Sequence, residues 1–228
     1  MTPRAAIFAF ISSLAISLAV PTTADAQLKK LLHLEENDSV PLFNGFAVGV
    51  DLAGLVQYAV SDYGQAEASL RLNLLDRYFP VVELGMGMAS HDDVVTEIKY
   101  ETKAPYVRIG ADYNLMRDKH DDYRIYGGAR YAFTSYKLDF SHPDIIDPVW
   151  GGKAHYGADD VSCYCHWLEV AAGVDAKVWG PIHLGWSVRY RRRIAHDSGD
   201  YGKSWYVPGF GKTGTTRMGY TFVLSLDI

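Results

Sequence analysis

Two cysteines, Cys163 and Cys165, stand one residue apart in the stretch VSCYCHWLEV, and His166 follows directly. Thiolates and imidazole are soft metal ligands, and His155, Asp159 and Asp160 lie just upstream. Structural zinc sites, however, space their cysteines by about two to four residues, and dithiol redox motifs by about two. The single intervening Tyr164 fits neither pattern, so no metal or cofactor is expected. Alternate positions of a strand share a face, so both thiols would point the same way. An oxidising compartment then leaves two readings: a Cys163–Cys165 disulfide at the base of a loop, closing a small ring, or two plain strand residues.

A second chemical candidate is PGFGKTGTT. A phosphate-binding loop needs a glycine five positions before the Gly211 of its Gly-Lys-Thr, and that position holds Tyr206. The stretch therefore reads as a glycine-rich hairpin. A third is His183 with Ser187, two polar positions flanking Gly185, which raises hydrolytic or acyl-transfer chemistry on lipid. His91, His142, His155 and His196 fall in loops, and no acid, base and nucleophile assemble from spacing alone. No catalytic residue is assigned.

The elements that carry these residues show a period of two. In GQAEASLRLNL, Ala66, Ala68, Leu70, Leu72 and Leu74 alternate with Glu67, Ser69, Arg71 and Asn73, one apolar and one polar face. The same alternation recurs in runs containing Phe46 to Gln57, Phe79 to Met88, Tyr106 to Met116, Tyr123 to Phe140, His166 to Trp179, Ile182 to Arg192 and Arg217 to Ile228. In the first of these, Leu52 and Val56 are read as continuing the strand. Eight strands of roughly 10 residues each are long enough to cross a bilayer when tilted. The connections LDRY, RDKHDD and WGPI are short. The alternate ones, about 89 to 102, 140 to 162 and 196 to 213, are long, with SDYGQ between the first two strands a short exception. The fold expected is all-β: an eight-stranded antiparallel transmembrane barrel of the outer-membrane type, with short periplasmic turns and long extracellular loops.

A soluble lipocalin-like barrel shares the strand count but points its polar face outward. The polar positions here decide between them. They hold Asp51, Glu67, Glu83, Asp112, Glu169, Asp175 and Asp227 beside Arg71, Arg108, Arg124, Arg130, Lys177, Arg189, Arg191 and Arg217. Near-balanced acids and arginine-rich bases suit a closed lumen in which guanidinium forks pair with carboxylates. Tyr78 and Trp179 at the short-turn ends, and Trp167, Tyr190 and Tyr220 at the long-loop ends, match two interfacial girdles. The 16 tyrosines and 21 glycines fit that picture.

The N-terminus supplies the address. Arg4, the apolar run Ala5 to Val20 and Ala24-Asp25-Ala26 have the pattern of a secretory signal peptide over residues 1–26, cleaved before Gln27. Residues 27–43 form a periplasmic preamble in which Leu28, Leu31, Leu32 and Leu34 suit a short amphipathic helix, and residues 44–228 form the barrel. A formal charge of −5 gives no sign of nucleic-acid binding. Two cysteines are too few for a disulfide scaffold.

SDYGQAE, RYFPVVELG, APYVRIGADYN, YGGARYAFTSY, DPVWGG, CHWLEVAAGVDAKVWGPIHLGWSVRYRRR and SWYVPGFGK together resemble an uncharacterised family of small outer-membrane proteins common in Bacteroidota. That resemblance covers nearly the whole exported chain and implies a membrane barrel with no assigned activity. The last segment, RMGYTFVLSLDI, resembles the C-terminal signal read by the barrel-assembly machinery, through Gly219, Phe222, Leu224, Leu226 and Ile228. It departs by ending on Ile228 rather than an aromatic residue. The expected partners are outer-membrane lipid, that machinery and an extracellular ligand or protein, and the expected state is a monomer. A structural or surface-interaction role comes first, a lipid A modifying enzyme second and a narrow diffusion pore third.

Overall fold

The computed structural model describes residues 41–116, 122–146, 151–197 and 204–228, without the side chains of 144–146 and 154–155. The expected signal peptide and preamble, except for its last residues, lie outside the described residues. Alternating side chains and short turns fold the rest into β1 (Phe43–Asp51), α1 (Leu52–Val60), β2 (Tyr63–Leu74), β3 (Tyr78–Asp92), β4 (Lys99–Asn114), β5 (Tyr123–Ile146), β6 (Lys153–Trp179), β7 (Ile182–Asp197), β8 (Tyr206–Val207), β9 (Gly211–Lys212) and β10 (Thr216–Asp227). Eight of these strands close into one antiparallel barrel in the order β1-β10-β7-β6-β5-β4-β3-β2, while β8 and β9 pair only with each other.

The faces follow the two-residue period. Leu84, Val170 and Trp186 on the outside are 57%, 61% and 66% exposed, while Arg108, Glu169 and Glu83 inside are at most 2% exposed. Soluble proteins rarely expose a continuous apolar surface of this kind, and one this extended marks contact with a membrane or a partner. The wall has the polarity of a membrane-spanning barrel, apolar outward and charged inward.

Four sequence expectations change. The first strand stops at Asp51, and Leu52 to Val60 coil into α1. Asp51 ends the strand by capping the helix: its carboxylate accepts from the Ala53 amide at 3.1 Å and from the Phe222 amide at 3.0 Å. The connection between the first two strands is therefore residues 52 to 62, not the short SDYGQ. The stretch 140 to 162 is largely strand, because β5 and β6 run for 24 and 27 residues. Among the described residues, β4 accompanies β5 only to Ser141, and β7 accompanies β6 only to Tyr164. Beyond those points β5 and β6 project together as a two-stranded ribbon. Trp167 does not face an interface. It shares parity with Glu169, points into the lumen and is fully buried.

Candidate functional site

Among the described residues, the lumen is where the strands bring chemistry together, and it has three levels. At mid-height lies an ion-pair network. Glu83 of β3 accepts from Arg130 Nε at 3.0 Å and from both terminal nitrogens of Arg189, at 2.7 and 3.0 Å. Glu169 of β6 accepts from Arg108 Nε at 2.9 Å and from the Trp167 indole at 2.6 Å, with Arg191 Nε at 3.2 Å. Glu67 of β2 takes Arg108 Nη1 and the Tyr106 hydroxyl. Asp112 pairs with Arg130 at 3.0 Å, and Asp175 with Arg71 at 3.2 Å and Arg124 at 3.3 Å. Each of these charged groups comes from a strand whose period aims it inward, and each finds its counter-charge on another strand.

Buried charges need such company, since removing a carboxylate from water is costly unless several hydrogen bonds replace the hydration. Arginine suits this better than lysine because its planar fork donates to both oxygens of a carboxylate, as Arg189 does on Glu83. The predicted lumen residues divide accordingly. Asp51, Glu67, Arg71, Glu83, Arg108, Asp112, Arg130, Glu169, Asp175, Arg189 and Arg191 are all buried, and Arg124 joins them through Asp175. Asp51 serves the α1 cap and the Phe222 amide instead of an ion pair. Lys177 lies at the short-turn rim, 3.5 Å from Asp122. Asp227, half-exposed, meets His183 Nε2 at 3.1 Å. Arg217 grips backbone, donating to the carbonyls of Lys212 and Thr213 at 2.8 and 2.7 Å.

Above the network, the long connection after β7 turns back into the barrel. Tyr206, Val207 and Phe210 are at most 2% exposed. Residues 204 to 213 are thus a plug and not an outward display, which corrects the reading of 196 to 213 as a long external loop over that part; residues 198–203 lie outside the described residues. The plug is held by its carbonyls: Gly209 accepts from Arg108 Nη2 at 2.7 Å and Phe210 from Arg191 Nη1 at 3.0 Å. A phosphate cradle presents N–H groups, whereas this glycine-rich turn presents C=O groups to guanidinium. Tyr206 donates to the Gly64 carbonyl at 3.1 Å. Gly87 of β3 makes room, because a Cβ there would meet Pro208 Cα at 2.6 Å. Trp205 closes the top, stacked on His91 with ring centres 4.2 Å apart, and Lys212 sits 4.9 Å from its centroid. Nothing in the periodicity signals that the glycine-rich hairpin read here folds inward; its clue is the cluster of Trp205, Tyr206 and Phe210.

Cys163 and Cys165 belong to the wall around the plug. Both are free and buried, and they cluster with Tyr136, Trp167, Tyr206 and Phe210. Of the two readings left open, the cysteines here are strand residues with free thiols, and the stretch is not a loop base: Cys163 and Cys165 pair with Tyr136 and Thr134 in the middle of β6. Side chains two apart on an extended strand stand side by side, too far apart to bond without distorting it. His166 lies on the opposite face, where its ring meets the Tyr131 hydroxyl at 2.6 Å. The cysteines and the histidine therefore do not converge.

Below the network, a vestibule of about 380 Å³ opens at the short-turn end, lined in part by Asn44, Asp76, Asn114, Arg124, His183 and Asp227. His183 bridges Asp175 and Asp227 at 3.0 and 3.1 Å. Ser187, higher up, bonds the Thr221 hydroxyl at 2.6 Å. The His183 and Ser187 pair singled out by spacing is thus divided between separate partners.

Several solved structures are similar to the chain. Neisserial surface protein A is 14% identical, the match covering 82% of this chain and 99% of that one, with a TM-score of 0.47. Ail, the attachment invasion locus protein of Yersinia pestis, is 10% identical over 81% and 98%, with a TM-score of 0.42. A major outer membrane protein from Thermus thermophilus is 13% identical over 81% and 99%, with a TM-score of 0.42. No curated protein matches the sequence. Residues 6–228 match the family model described as Domain of unknown function (DUF6048).

Proposed function

Because the chain belongs to the DUF6048 family, whose description assigns no activity, we propose from the geometry alone that it is an outer-membrane barrel with an occluded lumen and a structural or surface-interaction role. The observation that carries this is the inverted polarity: an apolar wall outside, and inside it charges paired strand to strand beneath a folded plug. Barrels of eight strands enclose only enough room for their own side chains, and here those side chains and the hairpin occupy it. In this reading residues 1–26 are a cleaved signal peptide, the short turns and the vestibule face the periplasm, and β10 is read by the barrel-assembly machinery.

What reaches outward is the β5 and β6 ribbon. Among the described residues, its strands beyond Ser141 and before Tyr164 have no barrel neighbour, which leaves their outer edges open. Such edges suit an extracellular ligand or protein that adds a strand. Membrane fractionation joined to gel mobility tests the whole reading. The protein is expected in the outer-membrane fraction and to migrate faster unboiled than boiled; a soluble protein with one mobility overturns it.

A further inference from the structure

The barrel wall is not strand all the way round. β10 stays paired with β7 as far as Thr216 opposite Arg192, and β2 with β3 as far as Tyr63 opposite Ala89. β1, which lies between β10 and β2, ends at Asp51, where its last partners are Val223 on one side and Ala68, opposite Val50, on the other. Among the described residues, Tyr63 to Glu67 of β2 and Thr216 to Phe222 of β10 therefore have no strand beside them along the upper half of this seam.

α1 stands at this seam. Among the described residues no backbone hydrogen bond joins it to β2 or β10. It is held by the Asp51 carboxylate, which ties its first turn to the Phe222 amide, and by backbone approach. A Cβ at Gly54 would lie 2.5 Å from the Gln65 carbonyl oxygen, and one at Gly64 would lie 2.4 Å from Tyr58 Cα, so the helix rests directly on β2. Ser61 Oγ closes its end on the Gln57 and Tyr63 carbonyls at 2.9 and 2.7 Å. The helix, LAGLVQYAV, carries no ionisable charge on Lys, Arg, Asp or Glu. It exposes Leu55, Val56, Tyr58, Ala59 and Val60, with Gln57 the one polar side chain among them. Met218 and Tyr220 of β10, at the other side of the seam, are also exposed.

We infer that α1 is a lipid-facing segment of the barrel wall, a helical panel covered by acyl chains of the outer leaflet where the strand ring is open. This rests on the membrane reading above and adds the surface and its occupant. A charge-free, exposed helix continuous with the apolar wall fits hydrocarbon. A water-exposed loop helix would carry a polar outer face, and a strand-adding partner would need the edges that α1 covers.

The test is site-directed spin labelling of the full chain refolded in dimyristoylphosphatidylcholine vesicles, in a background with Cys163→Ala and Cys165→Ala. Nitroxides replace Val56 (Val56→Cys), Leu84 (Leu84→Cys) and Val94 (Val94→Cys), and collision is measured with oxygen, which enters bilayers, and with a nickel chelate, which stays in water. Val60→Cys serves if Val56→Cys loses heat-modifiable mobility. The expected result is an oxygen-to-nickel ratio at position 56 that matches position 84 and exceeds position 94 several-fold. Nickel-dominated collision at 56 with oxygen-dominated collision at 84 overturns the assignment of α1 alone. Protection from both reagents, or line broadening by a second label, replaces lipid with a protein partner or a second copy and also overturns it. Nickel-dominated collision at 84 removes the membrane reading and this inference with it.

Discussion

Glu83 illustrates how the lumen is held together residue by residue. Its two oxygens take Arg130 and both prongs of Arg189, so its loss leaves two guanidinium groups from two strands facing each other without this shared counter-charge. Breaking a buried pair by removing one partner costs about 3–5 kcal/mol, far more than an intact pair contributes. Glu83→Ala is expected to lower barrel stability by about that much, measured as the urea midpoint of unfolding from vesicles. Arg189→Lys should also destabilise although it keeps the charge, because one ammonium cannot span both oxygens of Glu83. An Arg189→Lys protein as stable as the native one would mean that charge and not geometry holds the network. These inward charges are legible in the sequence because period and charge coincide on each strand. Their pairings are not, since each joins residues on different strands.

At the scale of elements, the plug hairpin depends on its turn. Gly209 has φ of +78°, and a Cβ there would lie 2.5 Å from Tyr106 Cγ. Gly209→Val combines a disfavoured backbone with a clash against a buried ring. It should unseat residues 204 to 213 while leaving the strand ladder intact. Cys163 and Cys165 report this, because both thiols are buried against the hairpin. External maleimide is expected to label the native protein slowly and Gly209→Val much faster, at unchanged heat-modifiable mobility; equal rates would show that the hairpin does not shield them. α1 differs from the strand expected there for an identifiable reason. LAGLVQYAV places Leu52, Leu55, Val56 and Ala59 at helical spacing, and Asp51 ahead of them is a capping residue. The alternation of the preceding strand also runs on through Leu52 and Val56, so both periods fit the same residues and the cap alone separates them.

For the whole molecule, the stacked levels predict a closed barrel. With the plug above and the ion pairs at mid-height, side chains and the hairpin stand over the vestibule of about 380 Å³. Purified protein in planar bilayers is expected to show no steady conductance. Steady single-channel steps would demonstrate a path past the arginines. The sequence by itself determined the number of barrel strands, the wall they form and which side of it carries charge. Those properties are local: the covalent geometry of an extended chain sends successive side chains to opposite faces, so a two-residue period is visible without any partner. Only the tertiary structure decided that β1 yields to a helix, that the last long connection turns inward, and that β5 and β6 outrun their neighbours. The inward turn depends on ring closure, which sets Arg108 under Gly209 and Tyr206 beside Gly64, 101 and 142 residues apart. No local pattern encodes contacts at that separation.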